Sequence, residues 1–224
     1  MAKGSVRRKA LEYFIEFVLV VVGISIAFWL SERSEENKKD RLEKQYLSDL
    51  LEDLEADVDL LEYLDALNQQ KLEFLSRGAA FYTDPNTNLT VDSIPKYADK
   101  IGNLHIFDPN DFTYSTLQQS GDFKIIKSHD VRKQLIKLYS SYETIDVEQT
   151  NLVQALDDNY YPTYFENYEM MTDRIANPQF FRSTFMSNFL AFTINQTNTI
   201  MVYFERSRNI AGQTCELIRK ELEK

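Results

Sequence analysis

An apolar run from Leu11 to Leu30 dominates this sequence, and neither Gly nor Pro occurs between Gly23 and Gly78. About 20 residues of helix span a hydrocarbon core, so the run is long enough to cross a membrane. The chain behind it carries no breaker and can continue as one helix. From Ile24 to Arg77 that helix is about 80 Å long at 1.5 Å per residue. The reading is a transmembrane helix that leaves the bilayer without a break.

A cleaved secretory signal is the rival, because Ser25-Ile26-Ala27 offers small residues at cleavage spacing. Glu12 and Glu16 near its basic start are unusual for such a signal, so an uncleaved anchor is expected. Lys3, Arg7, Arg8 and Lys9 precede the run and place the N-terminus in the cytoplasm. Arg33, Lys38, Lys39, Arg41 and Lys44 follow it closely, mixed with acids. The balance favours N-terminus inside and bulk outside, which in a Gram-negative cell means the periplasm. The expected division is a leader at 1–10, the membrane helix at 11–30, a charged stalk at 31–46 and a helical domain at 47–224.

Glu16 is out of place. Trp29 suits the far membrane interface, and Glu16 lies about 20 Å before it along a helix. In a core about 30 Å thick, its carboxyl is buried by about 10 Å. Mid-membrane charges usually face a partner or a cavity. At 100° per residue, Glu12, Glu16, Gly23 and Ala27 share one face. Gly23 and Ala27 form a small-xxx-small pair that lets helix backbones approach. That face predicts packing against another membrane helix.

Beyond the stalk, Leu47, Leu50, Leu51, Leu54, Val58, Leu61, Leu64 and Leu67 follow three- and four-residue steps. Leu47, Leu54 and Leu61 keep a seven-residue spacing. Asp57 interrupts a second seam, and Leu51 and Val58 widen the first. That width suits a helix in a bundle better than a strict coiled coil. Further on, Asp84-Pro85-Asn86 is turn chemistry. A short helix is expected at Asp92–Lys100, with Pro95 in its first turn. Asp108-Pro109 reads as N-cap and N1 of a helix to Ser120, with Gly121 as its left-handed terminator. Ser128 caps a helix running to about Asn159, where Tyr160-Tyr161-Pro162 interrupts. Asn177-Pro178 opens another helical stretch, and a last helix covers Thr184–Leu222, weakened at Gly212. The soluble part reads as all-α, a bundle of about four main helices.

Composition closes several alternatives. Six Gly and five Pro in 224 residues argue against a turn-rich β-fold. A net charge of -10 argues against nucleic-acid binding. His105 and His129 have no ligands at zinc spacing, and Cys215 reads as a small buried hydrophobe. Ser93-Ile94-Pro95-Lys96 matches a Ser-x-x-Lys motif but lacks its Lys-Thr-Gly partner. Glu52, Asp53, Glu55, Asp57 and Asp59 read as a solvated face. No catalytic constellation stands out, and no cofactor or metal is expected.

Glu16-Phe17-Val18-Leu19-Val20-Val21-Val22-Gly23-Ile24, then Ala27 and Trp29, resemble the N-terminal signature of an uncharacterised family of single-pass membrane proteins common in Bacteroidota. The family's charged and Leu-rich helix has its counterpart in Leu42–Leu50. Its later motif has one in Tyr114-Ser115-Thr116-Leu117-Gln118-Gln119-Ser120-Gly121, followed by Ile126 and a helix at Arg132–Tyr142. The resemblance spans most of residues 13–142. It implies a bacterial single-pass topology and no activity.

Three functions compete. The first is an interaction or structural subunit, contacting lipid and assembling with itself or with other integral membrane proteins through Glu12, Glu16, Gly23 and Ala27. The second is a sensor-like ligand-binding bundle without an output domain. Its pocket or partner surface would be Tyr139, Tyr142, Tyr160, Tyr161, Tyr164, Phe165 and Tyr168. The third is a motor-type subunit in which Glu16 carries an ion.

Overall fold

The computed structural model describes the backbone from Lys3 and the side chains from Glu16 to Lys224. The Glu12 side chain and the basic leader's side chains lie outside the described residues. Helix α1 covers Lys3–Thr83, 81 residues and about 120 Å. It passes Gly78 unbroken. From Glu16 to Lys39 every side chain is exposed, and packing begins at the end of the charged stalk.

Burial along α1 then follows a strict heptad rhythm. Leu47, Leu50, Leu54, Asp57, Leu61, Leu64, Asn68, Lys71 and Leu75 are all buried. Steps of three and four alternate throughout, which keeps one narrow stripe facing its partners. The second seam, which Asp57 breaks in the sequence, is therefore continuous in space. Asp57 is fully buried, which corrects its assignment to a solvated acidic face.

The partners of the seam come from the same chain. Helix α6, Thr184–Leu222, makes the most extensive contacts with α1, and helix α4, His129–Ala155, packs on α6. Arg219 near the end of α6 pairs with Glu55 at 2.5 Å, and the Tyr82 hydroxyl donates to the Phe181 carbonyl just before α6. α6 thus runs antiparallel to α1. Lys127, just before α4, pairs with Asp40, so α4 runs parallel to α1. Bundle packing within one chain is as expected. Leu50, Leu54, Leu135 and Ile218 are wholly buried, each contributing about 1.5–3 kcal/mol by leaving water.

The Ser128 cap and the Gly121 terminator form where the sequence places them. The Ser128 hydroxyl accepts from the Val131 N–H, and Ser183 does the same for Met186 at the start of α6. Gly121, at φ 77°, ends the short helix α3, Phe112–Ser120, in the left-handed region that favours glycine. α6 runs through Gly212 without a break.

Other expectations need correction. Helix α3 starts at Phe112 with Asp111 as its N-cap position, so Asp108-Pro109 does not open it. The expected Asp92–Lys100 helix is a 3-10 turn, Val91–Ser93, followed by helix α2, Pro95–Ala98. Between Asn177-Pro178 and α6 there is only a 3-10 turn, Phe180–Arg182. Tyr160-Tyr161-Pro162 does not end the fourth helix outright. The chain widens into a π-helical turn, Leu156–Tyr160, and continues as helix α5, Tyr161–Asn167. The Tyr161 N–H donates to the Leu156 carbonyl five residues back. That wider turn makes room for the Pro162 ring, which lacks a donor and would crowd a normal α-turn. Two short strands follow, β1 at Tyr168–Glu169 and β2 at Arg174–Ile175. Asp173 turns between them at φ 54°, a conformation Asp tolerates.

Gly78 supplies a test of this packing. A Cβ there would sit 2.7 Å from Cγ of Tyr97, a buried residue of α2. Gly-to-Ala in a helix ordinarily stabilises by about 1 kcal/mol. Here the overlap reverses the sign, and Gly78→Ala should cost about 1–3 kcal/mol in denaturant unfolding. A stabilised variant would mean that Tyr97 is not packed against α1.

Candidate functional site

Three regions carry chemistry. The first is the exposed apolar stretch of α1. Phe17, Leu19, Phe28 and Trp29 are each more than 60% exposed, and Val20, Ile24, Ile26 and Leu30 more than half exposed. Glu16, Gly23 and Ala27 are exposed beside them. Nothing lies within 4 Å of the position a Gly23 Cβ would take. The Ser25 hydroxyl is turned inward, donating to the Val21 carbonyl at 2.8 Å.

The second is a set of buried polar side chains in the bundle wall. Residues 101–111 run through that wall as irregular chain, whose backbone groups need partners. Lys71, 6% exposed, donates from Nζ to the carbonyls of Asn103 at 2.7 Å and Ile101 at 3.3 Å. The Gln149 amide brackets Phe107, accepting from its N–H at 2.7 Å and donating to its carbonyl at 3.1 Å. Asp57 Oδ1 accepts from the Asn110 backbone N–H at 2.8 Å and from its Nδ2 at 3.0 Å. Three buried polar residues thus pin three successive points of one segment.

Their protonation reflects burial. Desolvation pushes Asp57 up, against the Asn110 bonds that favour its charge. Lys71 falls from 10.5 to about 8 for the same reason. His105 is lowered by burial and by the nearby Lys71 charge. Burial, reinforced by Asp57, raises the Tyr142 hydroxyl. This cluster is structural, since the bonds made by Lys71, Gln149 and Asp57 Oδ1 all go to the segment it holds. The sequence signal was present: Asp57, Asn68 and Lys71 extend the heptad that Leu47 begins.

The third lies at the end of the bundle farthest from the apolar stretch. The π-helical turn sets Tyr160, Tyr164 and Tyr168 in one column and Tyr161 and Phe165 in a second. Tyr160 and Tyr164 stack at 5.2 Å between centroids, and Tyr161 and Phe165 at 5.7 Å. Tyr160 and Tyr164 are buried, whereas Phe165 is exposed. A cleft of about 970 Å³ opens between α2 and the β1–β2 hairpin, with Asp92, Lys96 and Asp99 on one side and Tyr168, Asp173 and Arg174 on the other. A smaller cavity of about 280 Å³ adjoins it, sharing Asp99 and Met170 and lined by Tyr160, Tyr161, Tyr164 and Phe165.

Tyr139 and Tyr142 lie elsewhere. Tyr142 precedes Tyr160 by about 27 Å of helix. Tyr142 packs edge-on against Phe107, and Tyr139 stacks on Tyr114 at 3.7 Å with rings 5° from parallel. Of the motif residues, Tyr114 and Leu117 are buried. The Ser120 hydroxyl accepts from the Asp122 N–H, just past the Gly121 turn. Cys215 is buried, as expected.

A family model matches residues 16–161, from the start of the exposed apolar stretch to the first residue of α5; it is that of a family of unknown function, DUF6090. The chain belongs to that family. The DUF6090 match takes in α1 from Glu16 on, the pinned segment 101–111, α3, α4 and the π-helical turn. The hairpin and α6 fall outside it, although α6 covers most of the α1 seam. No curated protein and no solved structure matches the chain significantly.

Proposed function

We propose that the chain is a membrane-anchored interaction subunit of the bacterial inner membrane. Residues 11–30 cross the bilayer with the N-terminus in the cytoplasm, and the domain at 47–224 stands in the periplasm on a charged helical stalk. The contrast within α1 carries this reading. From Leu47 on, its apolar residues lie mostly in one stripe covered by the same chain, with Tyr63 the large exposed exception. From Phe17 to Leu30 they are apolar on all sides and uncovered. A helix apolar all round requires lipid or other helices around it. The Glu16, Gly23 and Ala27 face supports assembly with a second copy or another membrane protein, since small residues permit close approach. Single-pass topology and an origin in Bacteroidota belong to the same proposal.

The test is fractionation and labelling in cells. The chain should stay in the membrane pellet after alkaline carbonate. An Asn86→Cys variant should react with a membrane-impermeant maleimide in cells whose outer membrane has been opened, and a Ser5→Cys variant should not. Release by carbonate, or the reverse labelling pattern, would overturn the anchor or its orientation.

The cleft at the distal end favours a second reading, a ligand-binding ectodomain. It lies about 80 Å along α1 from Trp29, and its volume falls in the range of small-molecule sites.

A further inference from the structure

We propose that the outward face of α6 pairs this chain with a second copy of itself, side by side and parallel in one membrane. This rests on the anchor proposed above, which holds copies upright in the same bilayer, but not on the Glu16, Gly23 and Ala27 face. Helix α6 carries two seams. The first, Met186, Leu190, Thr193, Thr197, Ile200 and Phe204, is buried and continues to Ile218 in alternating steps of four and three. The second, Phe185, Asn188, Phe192, Asn195, Thr199 and Val202, alternates steps of three and four on the outward side. Phe185 and Phe192 are more than a third exposed and Val202 is 63% exposed. Asn188 and Asn195 are exposed and Thr199 is half-buried. Such a rhythm keeps side chains in one stripe that faces one partner helix, and no helix among the described residues covers this stripe.

The lack of charge selects the partner. No Asp, Glu, Lys or Arg occurs from Ser183 to Phe204, a longer uncharged run than Phe17–Ser31 in the membrane segment. The exposed sides of α1 and α4 carry Glu62, Glu73, Lys133, Lys137 and Asp146 over comparable lengths. Contact surfaces are depleted of charge at their centre. Each chain bears a net charge of -10, so two copies repel where acids face each other. An uncharged face is where they can meet. The seam is also self-complementary. About a two-fold axis along the membrane normal, each residue meets its own copy. A side-chain amide both donates and accepts, so Asn188 can bond Asn188, and Asn195 can bond Asn195. Neither amide is bonded among the described residues, whereas that of Asn198 beside them donates to the Ile194 carbonyl at 2.9 Å. Asn in a seam fixes register at a cost in affinity. From Phe185 to Val202 the contact is about 26 Å long, short of a standard interface. It therefore forms where the membrane concentrates the chains and gives way in detergent.

Crosslinking of the full chain in isolated native membranes with a short bismaleimide tests this. The native Cys215 is 3% exposed, so the unaltered chain serves as the blank. Asn188→Cys and Val202→Cys should each give a product at about twice 26.3 kDa. Gln70→Cys, exposed on α1, should not. Asn195→Lys, which sets like charges across the axis, should cut the Asn188→Cys product several-fold. Gly23→Ile, which alters only the membrane face, should leave that product in place. Equal products from all three cysteine positions would mean random collision and overturn the pairing. A product of another mass would put a foreign chain on this face and overturn the second copy. No product from a chain that resists alkaline carbonate would overturn the pairing and leave the anchor. Release by carbonate would overturn the anchor and the parallel alignment with it.

Discussion

Tyr160→Ala should lower the stability of the bundle by about 3–5 kcal/mol, and Tyr160→Phe by about 0.5–1.5 kcal/mol. The ring is 1% exposed and lies between Tyr164 at 5.2 Å and Phe189 at 5.0 Å. It ties the π-helical turn to the start of α6, so removing it opens a cavity where two parts of the chain meet. The hydroxyl has a separate task. It is the side-chain donor to the Ala98 carbonyl, and Ala98 is itself buried. Tyr160→Phe removes that bond and leaves the packing intact, while the Ala98 carbonyl keeps the Ile101 N–H at 2.9 Å. Domains of this size are stable by only about 5–15 kcal/mol, so the alanine variant loses a large fraction. Denaturant unfolding followed by circular dichroism separates the two. A loss below about 1 kcal/mol for Tyr160→Ala would show that the distal aromatic column does not hold the fold.

Stability should rise between about pH 8 and pH 10 and fall above it, and Lys71→Met should abolish the rise. Lys71 has a folded value of about 8 against 10.5 when unfolded. Between those values the unfolded chain binds a proton that the folded chain does not, so stability increases with pH. A shift of this size corresponds to on the order of 3 kcal/mol. The tyrosines act with the opposite sign. Burial pushes Tyr82 up to about 12 and raises Tyr139, Tyr142, Tyr160 and Tyr164 as well. Above their ordinary value near 10, the unfolded chain loses protons first. Their contribution is complete below that value and is lost as pH rises. Asp57, also raised, gives its contribution at acid pH and loses it as pH climbs above 3.8. Urea midpoints at one-unit steps from pH 7 to 11 measure the profile. A flat response from pH 8 to 10, or a rise that persists in Lys71→Met, would show that Lys71 is not a buried ammonium.

Local signals were legible wherever local chemistry decides the structure. Ser128 and Gly121 act at the positions the sequence predicts, and α6 spans Thr184–Leu222. The leucine stripe was legible as one face of a bundle helix. Long-range partners decided the rest. Asp108-Pro109 has the residues of a helix start, but the Asn110 backbone is held by Asp57 and by the Tyr139 hydroxyl. The helix begins only after that anchor. Asp57 reads as a surface charge in the sequence because its partner is a backbone group more than 50 residues away. The aromatic cluster was visible as composition, but its division was not. Only the length of α4 reveals that Tyr142 and Tyr160 lie far apart, and only the π-helical turn sets the second group in columns.

We propose above that the uncovered face of α1 joins this chain to others in the membrane. The most direct measurement is the mass of the complex purified from its native membrane in mild detergent, with identification of the chains that accompany it. The expected result is a species larger than the 26.3 kDa chain, either a multiple of it or a stoichiometric complex with other membrane subunits. Gly23→Ile, which blocks close helix approach, should reduce it to the single chain. A lone 26.3 kDa species from the unaltered protein would contradict the claim.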